Sequence, residues 1–205
     1  RMAQAAILRE DLPMLEEQKK TRASQIEDDF QKWLAKASTD ADGEANLPGD
    51  ALLHFTLDES LDDSITANLK GTVKGKTLWD EGRFGKAFKV DGSNWIDLGQ
   101  VADFDQKDQF SYGCWVKPQG NATGAPIAKM NDGNAYRGFD LHCSNGQVAV
   151  HIISAWRGNA IKVTTKAKLK PNEWQHVCAT YDGSSKAKGV TIYFNGKPQE
   201  WAVNV

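Results

Sequence analysis

Two hydrophobic rhythms divide the chain. Over residues 1–38 apolar side chains recur at helical spacing, and no glycine interrupts them. Leu8, Leu12 and Leu15 fall on one helical face, and Ile26, Phe30, Trp33, Leu34 and Ala37 on another. Ala, Leu, Glu, Gln and Lys dominate, all good helix formers. Asp11 followed by Pro13 marks either a helix start or a kink within a longer helix. The two apolar patches are separated by a polar stretch, so sustained coiled-coil heptads are absent. The pattern predicts a helical arm that docks against neighbouring domains of a larger protein.

Residues 39–50 are rich in Asp, Gly, Asn and Pro and predict a linker. From residue 51 the period changes to two. Alternating segments at 53–57, 87–90, 95–98, 110–116, 139–143, 147–153, 160–164, 174–181 and 190–194 predict short strands. Asn145-Gly146 and Asn195-Gly196 are tight hairpin signals. The expected fold is mainly β: an antiparallel sandwich over 51–205, preceded by the helical arm at 1–38.

Composition narrows the function classes. With 25 Lys+Arg against 27 Asp+Glu, the formal net charge is -2. No basic block exists, which argues against a nucleic-acid partner. No apolar run reaches the length of a membrane span, so membrane insertion is not expected. The three cysteines, Cys114, Cys143 and Cys178, form no CxxC pair. They allow at most one disulfide, or three buried thiols.

The order of phrases in the β half resembles a known family. Leu53-His-Phe-Thr-Leu-Asp-Glu59 comes first, then Gly82-Arg-Phe-Gly-Lys-Ala-Phe-Lys-Val-Asp-Gly92 and Trp95-Ile-Asp-Leu98. Phe110-Ser-Tyr-Gly-Cys-Trp-Val-Lys-Pro118, Trp174-Gln-His-Val-Cys-Ala-Thr-Tyr-Asp-Gly183 and Ile192-Tyr-Phe-Asn-Gly-Lys197 follow. Together they resemble the laminin-G-like and pentraxin-like branch of the concanavalin A-like jelly rolls. The helix ending in Phe30-Gln-Lys-Trp-Leu34, and Trp156-Arg-Gly-Asn-Ala-Ile-Lys-Val163, add a likeness to large planctomycete proteins. Those proteins join such a jelly roll to cytochrome-c-like segments. The resemblance implies export, to the periplasm or cell surface. No CxxCH motif occurs, so no haem is expected. Family members add two strands after the second Asn-Gly hairpin. Little sequence follows Gly196, so the final strands are expected to be missing or supplied elsewhere.

Candidate chemistry follows from residue types. Sugar recognition needs exposed aromatic rings beside planar polar groups. Asn131, Asp132, Asn134, Tyr136 and Arg137 offer these in one loop, and Trp156, Arg157 and Asn159 in another. The bland alternative has Trp156 plugging the sandwich end. The resemblance also implies Ca²⁺ held by loop oxygens, with Asp58 and Asp132 as candidate ligands. The segment Asp91-Gly92-Ser93-Asn94 offers oxygens too, but reads first as a turn. Glycosidases of this fold class carry acids at alternating strand positions. Here Asp97 and Asp140 each stand alone, and no Gly-x-Ser-x-Gly elbow occurs. No catalytic residue and no enzyme activity are expected. The four histidines are expected to be packed or hydrogen-bonded strand residues, and Trp95, Trp115 and Trp174 to be core residues. The reading is a non-catalytic module binding glycan or another surface ligand. The alternative is a structural module that positions neighbouring domains.

Overall fold

The computed structural model describes residues 2–39, 47–121 and 123–203. Its contacts divide into two units, Arg1–Ala51 and Leu52–Val205. In the first, one helix, α1, runs Met2–Thr39, straight through Pro13. Of the two sequence readings at Asp11-Pro13, the longer helix is the one adopted, at the cost of one backbone hydrogen bond. Leu15, Ile26, Phe30 and Trp33 are exposed, and the rings of Phe30 and Trp33 stack at 5.9 Å. The side chains of Leu8, Leu12, Leu34 and Ala37, and most of the expected linker (40–46), lie outside the described residues. No described helix is long and apolar enough to cross a membrane.

The second unit is built from β1 (Thr72–Lys74), β2 (Trp79–Glu81), β3 (Lys86–Phe88), β4 (Trp95–Asp97), β5 (Phe110–Val116), β6 (Gly124–Asn131) and β7 (Arg137–Ser144). It continues with β8 (Gln147–Ala155), β9 (Asn159–Lys168), β10 (Gln175–Tyr181), β11 (Val190–Phe194), β12 (Lys197–Pro198) and β13 (Trp201–Val203). A four-stranded sheet has the order β12-β11-β10-β5, and a five-stranded sheet β13-β9-β8-β7-β6. The pairs β1-β4 and β2-β3 form two small ribbons. All these pairings are antiparallel. The residues after Asn195-Gly196 supply two short strands, β12 beside β11 and β13 beside β9.

Period-two patterning sorts each strand. Val177, Ala179 and Tyr181 of β10, and Val190, Ile192 and Phe194 of β11, turn inward. Leu141, Val148, Val150 and Val163 meet them from the five-stranded sheet. Burying each of these Val, Leu, Ile and Phe side chains contributes about 1.5–3 kcal/mol. Phe104 stacks on Phe110 at 4.5 Å, and Phe110 lies 5.1 Å from Phe139, closing one end of the core. Asn145 and Gly146, like Asn195 and Gly196, all have positive φ, as type I′ hairpin turns require.

Several expectations are corrected. Residues 53–57 form no strand; Phe55 makes only a single bridge to Asp63. Trp95 is 57% exposed and Trp115 41% exposed, so neither is core. On β5 the inward set is Phe110, Tyr112, Cys114 and Val116, which leaves Trp115 on the outer face. There it meets Phe84 edge-on at 6.1 Å. Trp174 precedes β10 and is half-buried. Strand β6 was not anticipated. It contains Pro126 and lies at a sheet edge, where a missing N–H is tolerated. The three cysteines are free thiols. Burial, then the neighbouring Cys178, pushes the Cys114 thiol up to about 12.

Candidate functional site

The β7–β8 hairpin fixes the centre of the site. Its two-residue turn sets Ser144 against Gln147, hence His142 against Ala149 and Asp140 against His151. The next strand places Lys162 opposite His151. Asp140, His151 and Lys162 therefore form a row across three strands, on the face turned away from the core. Phe139, Leu141 and Val150 take the inward face.

Asp140 Oδ1 lies 2.7 Å from His151 Nδ1 and also accepts the His151 backbone N–H at 3.3 Å. The two side chains are only 10% and 12% exposed. A carboxylate only accepts, so Nδ1 is the donor of this pair. From the core side, the Tyr112 hydroxyl donates to the Asp140 carbonyl at 2.8 Å. Burial, then the Asp140 charge, raises the Tyr112 phenol far above its usual range, so it remains a donor. Asp140, which stands alone as an acid on its strand, pairs with a histidine rather than with a second carboxylate.

Trp156 caps this row. Its ring stands edge-on to His151 at 5.6 Å, and Lys162 Nζ lies 6.0 Å from its centroid. The Trp156 backbone N–H donates to the Ala135 carbonyl at 2.9 Å. That bond ties the β8–β9 turn to the β6–β7 loop, and so brings the two expected ligand loops to one end of the sheet. Asn131, Asp132, Asn134, Tyr136, Arg137, Trp156, Arg157 and Asn159 are all exposed. Trp156 is 37% and Tyr136 49% exposed, so Trp156 does not serve as a buried plug. The loop is braced by Asn134 N–H to Asn131 O and Arg137 N–H to Asn134 O, both 3.0 Å. Ala135, Tyr136 and Arg157 adopt positive φ, a strained backbone for residues with side chains. Arg137 follows the alternation of Phe139 and Leu141. Its Nη1 donates to Ser154 Oγ at 3.2 Å, so it braces the sheet end rather than joining Asp140 and His151.

The two expected metal ligands stand on different elements. Asp58 Oδ1 accepts the Lys86 backbone N–H at 2.7 Å and holds the β2–β3 turn. Gly85 (φ +53) is needed there, because a Cβ would come within 2.5 Å of the Asp58 carboxylate. Asp132 lies in the β6–β7 loop. Among the described residues no three His, Cys, Asp or Glu side chains gather as a metal site requires. The segment 91–94 is a turn: Asp91 Oδ1 accepts the Ser93 N–H, and Asn94 clamps Lys76 and Lys89 carbonyls through Nδ2.

The Asp140–His151 pair was not recognised in the sequence, although its signal was present. A two-residue turn at Asn145-Gly146 makes opposed residues sum to 291, and 140 plus 151 does so.

Comparison with curated proteins finds no match. The Laminin_G_3 family model, described as concanavalin A-like lectin/glucanases superfamily, matches residues 90–204. That span covers more than half of the chain and includes both sheets and the site. The chain therefore belongs to the laminin-G-like family of the concanavalin A-like lectin/glucanase superfamily.

Proposed function

We propose that the jelly roll is a non-catalytic module that binds carbohydrate, carried by a larger exported protein. One observation supports this above the others: the Trp156 N–H to Ala135 O bond unites two loops into one rim. That rim carries an exposed indole, an exposed phenol and the exposed Asn131, Asn134 and Asn159. Rings take the apolar face of a sugar, and amides take its hydroxyls. The family supports binding as the general role. Export rests on the resemblance of the sequence to its family.

The test is calorimetric titration against a panel of neutral and acidic polysaccharides. At least one should bind, and Trp156→Ala should weaken it by about tenfold or more, a loss of ~1.4 kcal/mol. Binding that Trp156→Ala leaves intact contradicts the reading.

The arm favours a second role alongside the first. Phe30 and Trp33 are exposed on α1 and stacked on each other. Such a pair suits packing against a neighbouring domain of the parent protein. A Phe30→Ser, Trp33→Ser double variant should lose that association and keep glycan binding.

A further inference from the structure

We propose that a second copy of this chain docks on the free edge of β5, strand to strand and antiparallel, with a two-fold axis at Gly113. The four-stranded sheet then continues from one copy into the other. This inference stands apart from the carbohydrate reading.

The two main sheets end in β12 and β5 on one side and in β13 and β6 on the other. Short strands, proline, lysine and bulges keep a sheet edge from pairing with another chain. Three of the edges carry such guards. β12 is only Lys197–Pro198, and β13 only Trp201–Val203. β6 contains Pro126 and Lys129 and has a register shift between Gly124 and Ile127. β5 has none of these. Its 7 residues include no charge and no proline, and they pair with β10 without a shift.

The hydrogen bonds of β10 show which groups of β5 are free. His176 donates its N–H to Asn195 Oδ1 at 2.9 Å, and its carbonyl accepts the Asn195 N–H at 2.8 Å. Both groups of His176 thus point away from β5. Its β5 partner, Trp115, therefore sits in a pair that exchanges no backbone hydrogen bonds. The N–H and C=O of Trp115 point out from the free edge, and by alternation so do those of Gly113 and Ser111. Gly113 agrees. A Cβ there would come within 2.6 Å of the Val177 carbonyl oxygen, which faces β5 as the bonded Cys114–Val177 pair requires. Ser111, Gly113 and Trp115 are exposed, and among the described residues no backbone bond from outside β10 reaches them.

A second β5 complements this edge. Pairing about Gly113 sets Ser111 against the second copy's Trp115, and joins the strands by about six backbone hydrogen bonds. Each indole then lies diagonal to the other copy's Gly113, whose missing side chain leaves it room. Charge selects the direction. Asp108 precedes β5 and Lys117 follows it, both exposed. Antiparallel docking brings Lys117 near the second copy's Asp108 at both ends, whereas parallel docking sets like charges together. A dimer also carries two Trp156 rims, which raises avidity for a ligand that repeats.

The experiment measures the mass of the full chain by sedimentation equilibrium from about 5 µM to about 500 µM. The wild type should pass from monomer to dimer. The double variant Ser111→Glu, Trp115→Glu sets like charges opposite each other and should stay monomeric, as should Ser111→Lys, Trp115→Lys. Mixed in equal amounts, the two should form a heterodimer, because each acid then faces a lysine. Circular dichroism checks that both are folded. Amide exchange reads the same edge without substitution: Ser111, Gly113 and Trp115 should exchange more slowly as wild-type concentration rises. A wild type that stays monomeric overturns the inference. If that monomer binds a Val-Thr repeat peptide, the edge belongs to a strand donated by another protein, and the inference fails equally. A dimer that leaves those three amides unprotected, or that the glutamate variant keeps, is formed elsewhere and overturns it. Folded variants that stay monomeric when mixed contradict the antiparallel register.

Discussion

Asp140 and His151 face each other across the β7–β8 hairpin, carboxylate to imidazole, at 2.7 Å on the outer face of the five-stranded sheet. Each is nearly buried, so each is the other's replacement for water. Removing one partner leaves the survivor desolvated and unsatisfied. Asp140→Ala is expected to cost about 1–3 kcal/mol of stability, and His151→Ala a similar amount. The double variant should cost clearly less than their sum, because the second loss removes the unsatisfied group. Denaturant unfolding of the four proteins measures this. Additive losses would show that the two side chains do not act as a unit.

Gly138 sets how closely β6 lies on β7. It sits at φ +139, and a Cβ there would come within 1.8 Å of the Lys129 carbonyl oxygen. Gly138→Ala must push β6 away or break the pairing. A loss above about 3 kcal/mol, or failure to fold, is expected. Gly133→Ala is the control, since its Cβ would meet only Asn131 Oδ1 at 3.5 Å. It should change stability by no more than about 0.5 kcal/mol. Equal effects at the two positions would contradict the packing described for β6.

The hairpin turns were legible, because Asn145-Gly146 and Asn195-Gly196 need positive φ at both residues. The same turn carried the Asp140–His151 pairing, but only if the register is followed five residues out. Trp115 was misjudged because a strand motif does not say which face a residue takes. Counting by twos from buried Phe110 puts it outside. Strand β6 escaped because Pro126 and a register shift between Gly124 and Ile127 hide its alternation. The bond joining Trp156 to Ala135 lies beyond any local pattern. It depends on how two loops meet at the end of the sheet.

Asp63 makes the acid limb of stability testable. Burial pushes its carboxyl up, but the N–H groups of His54, at 2.6 Å, and Thr66, at 2.8 Å, outweigh that. The net result is a carboxyl held below the ordinary range. The unfolded chain therefore takes up this proton more readily than the folded one. The contribution is fully present above the ordinary carboxylate value, and is lost as pH falls through that value towards the lower folded one. Asp63→Asn should cost about 1–3 kcal/mol at pH 7, and the gap to the wild type should narrow by pH 3. A gap that is constant or widens as pH falls would contradict this account of the Asp63 loop.

The central claim is that the rim joined at Trp156 and Ala135 receives the sugar. It is tested most directly by following the indole N–H signals of all seven tryptophans in a nitrogen–proton NMR titration with the tightest-binding polysaccharide. The account predicts that the Trp156 signal and the backbone amides of 131–137 and 156–159 move, while the Trp79, Trp115 and Trp174 indoles stay in place. Movement centred on Trp115 and Phe84, with Trp156 unchanged, would contradict it and place binding on the opposite sheet.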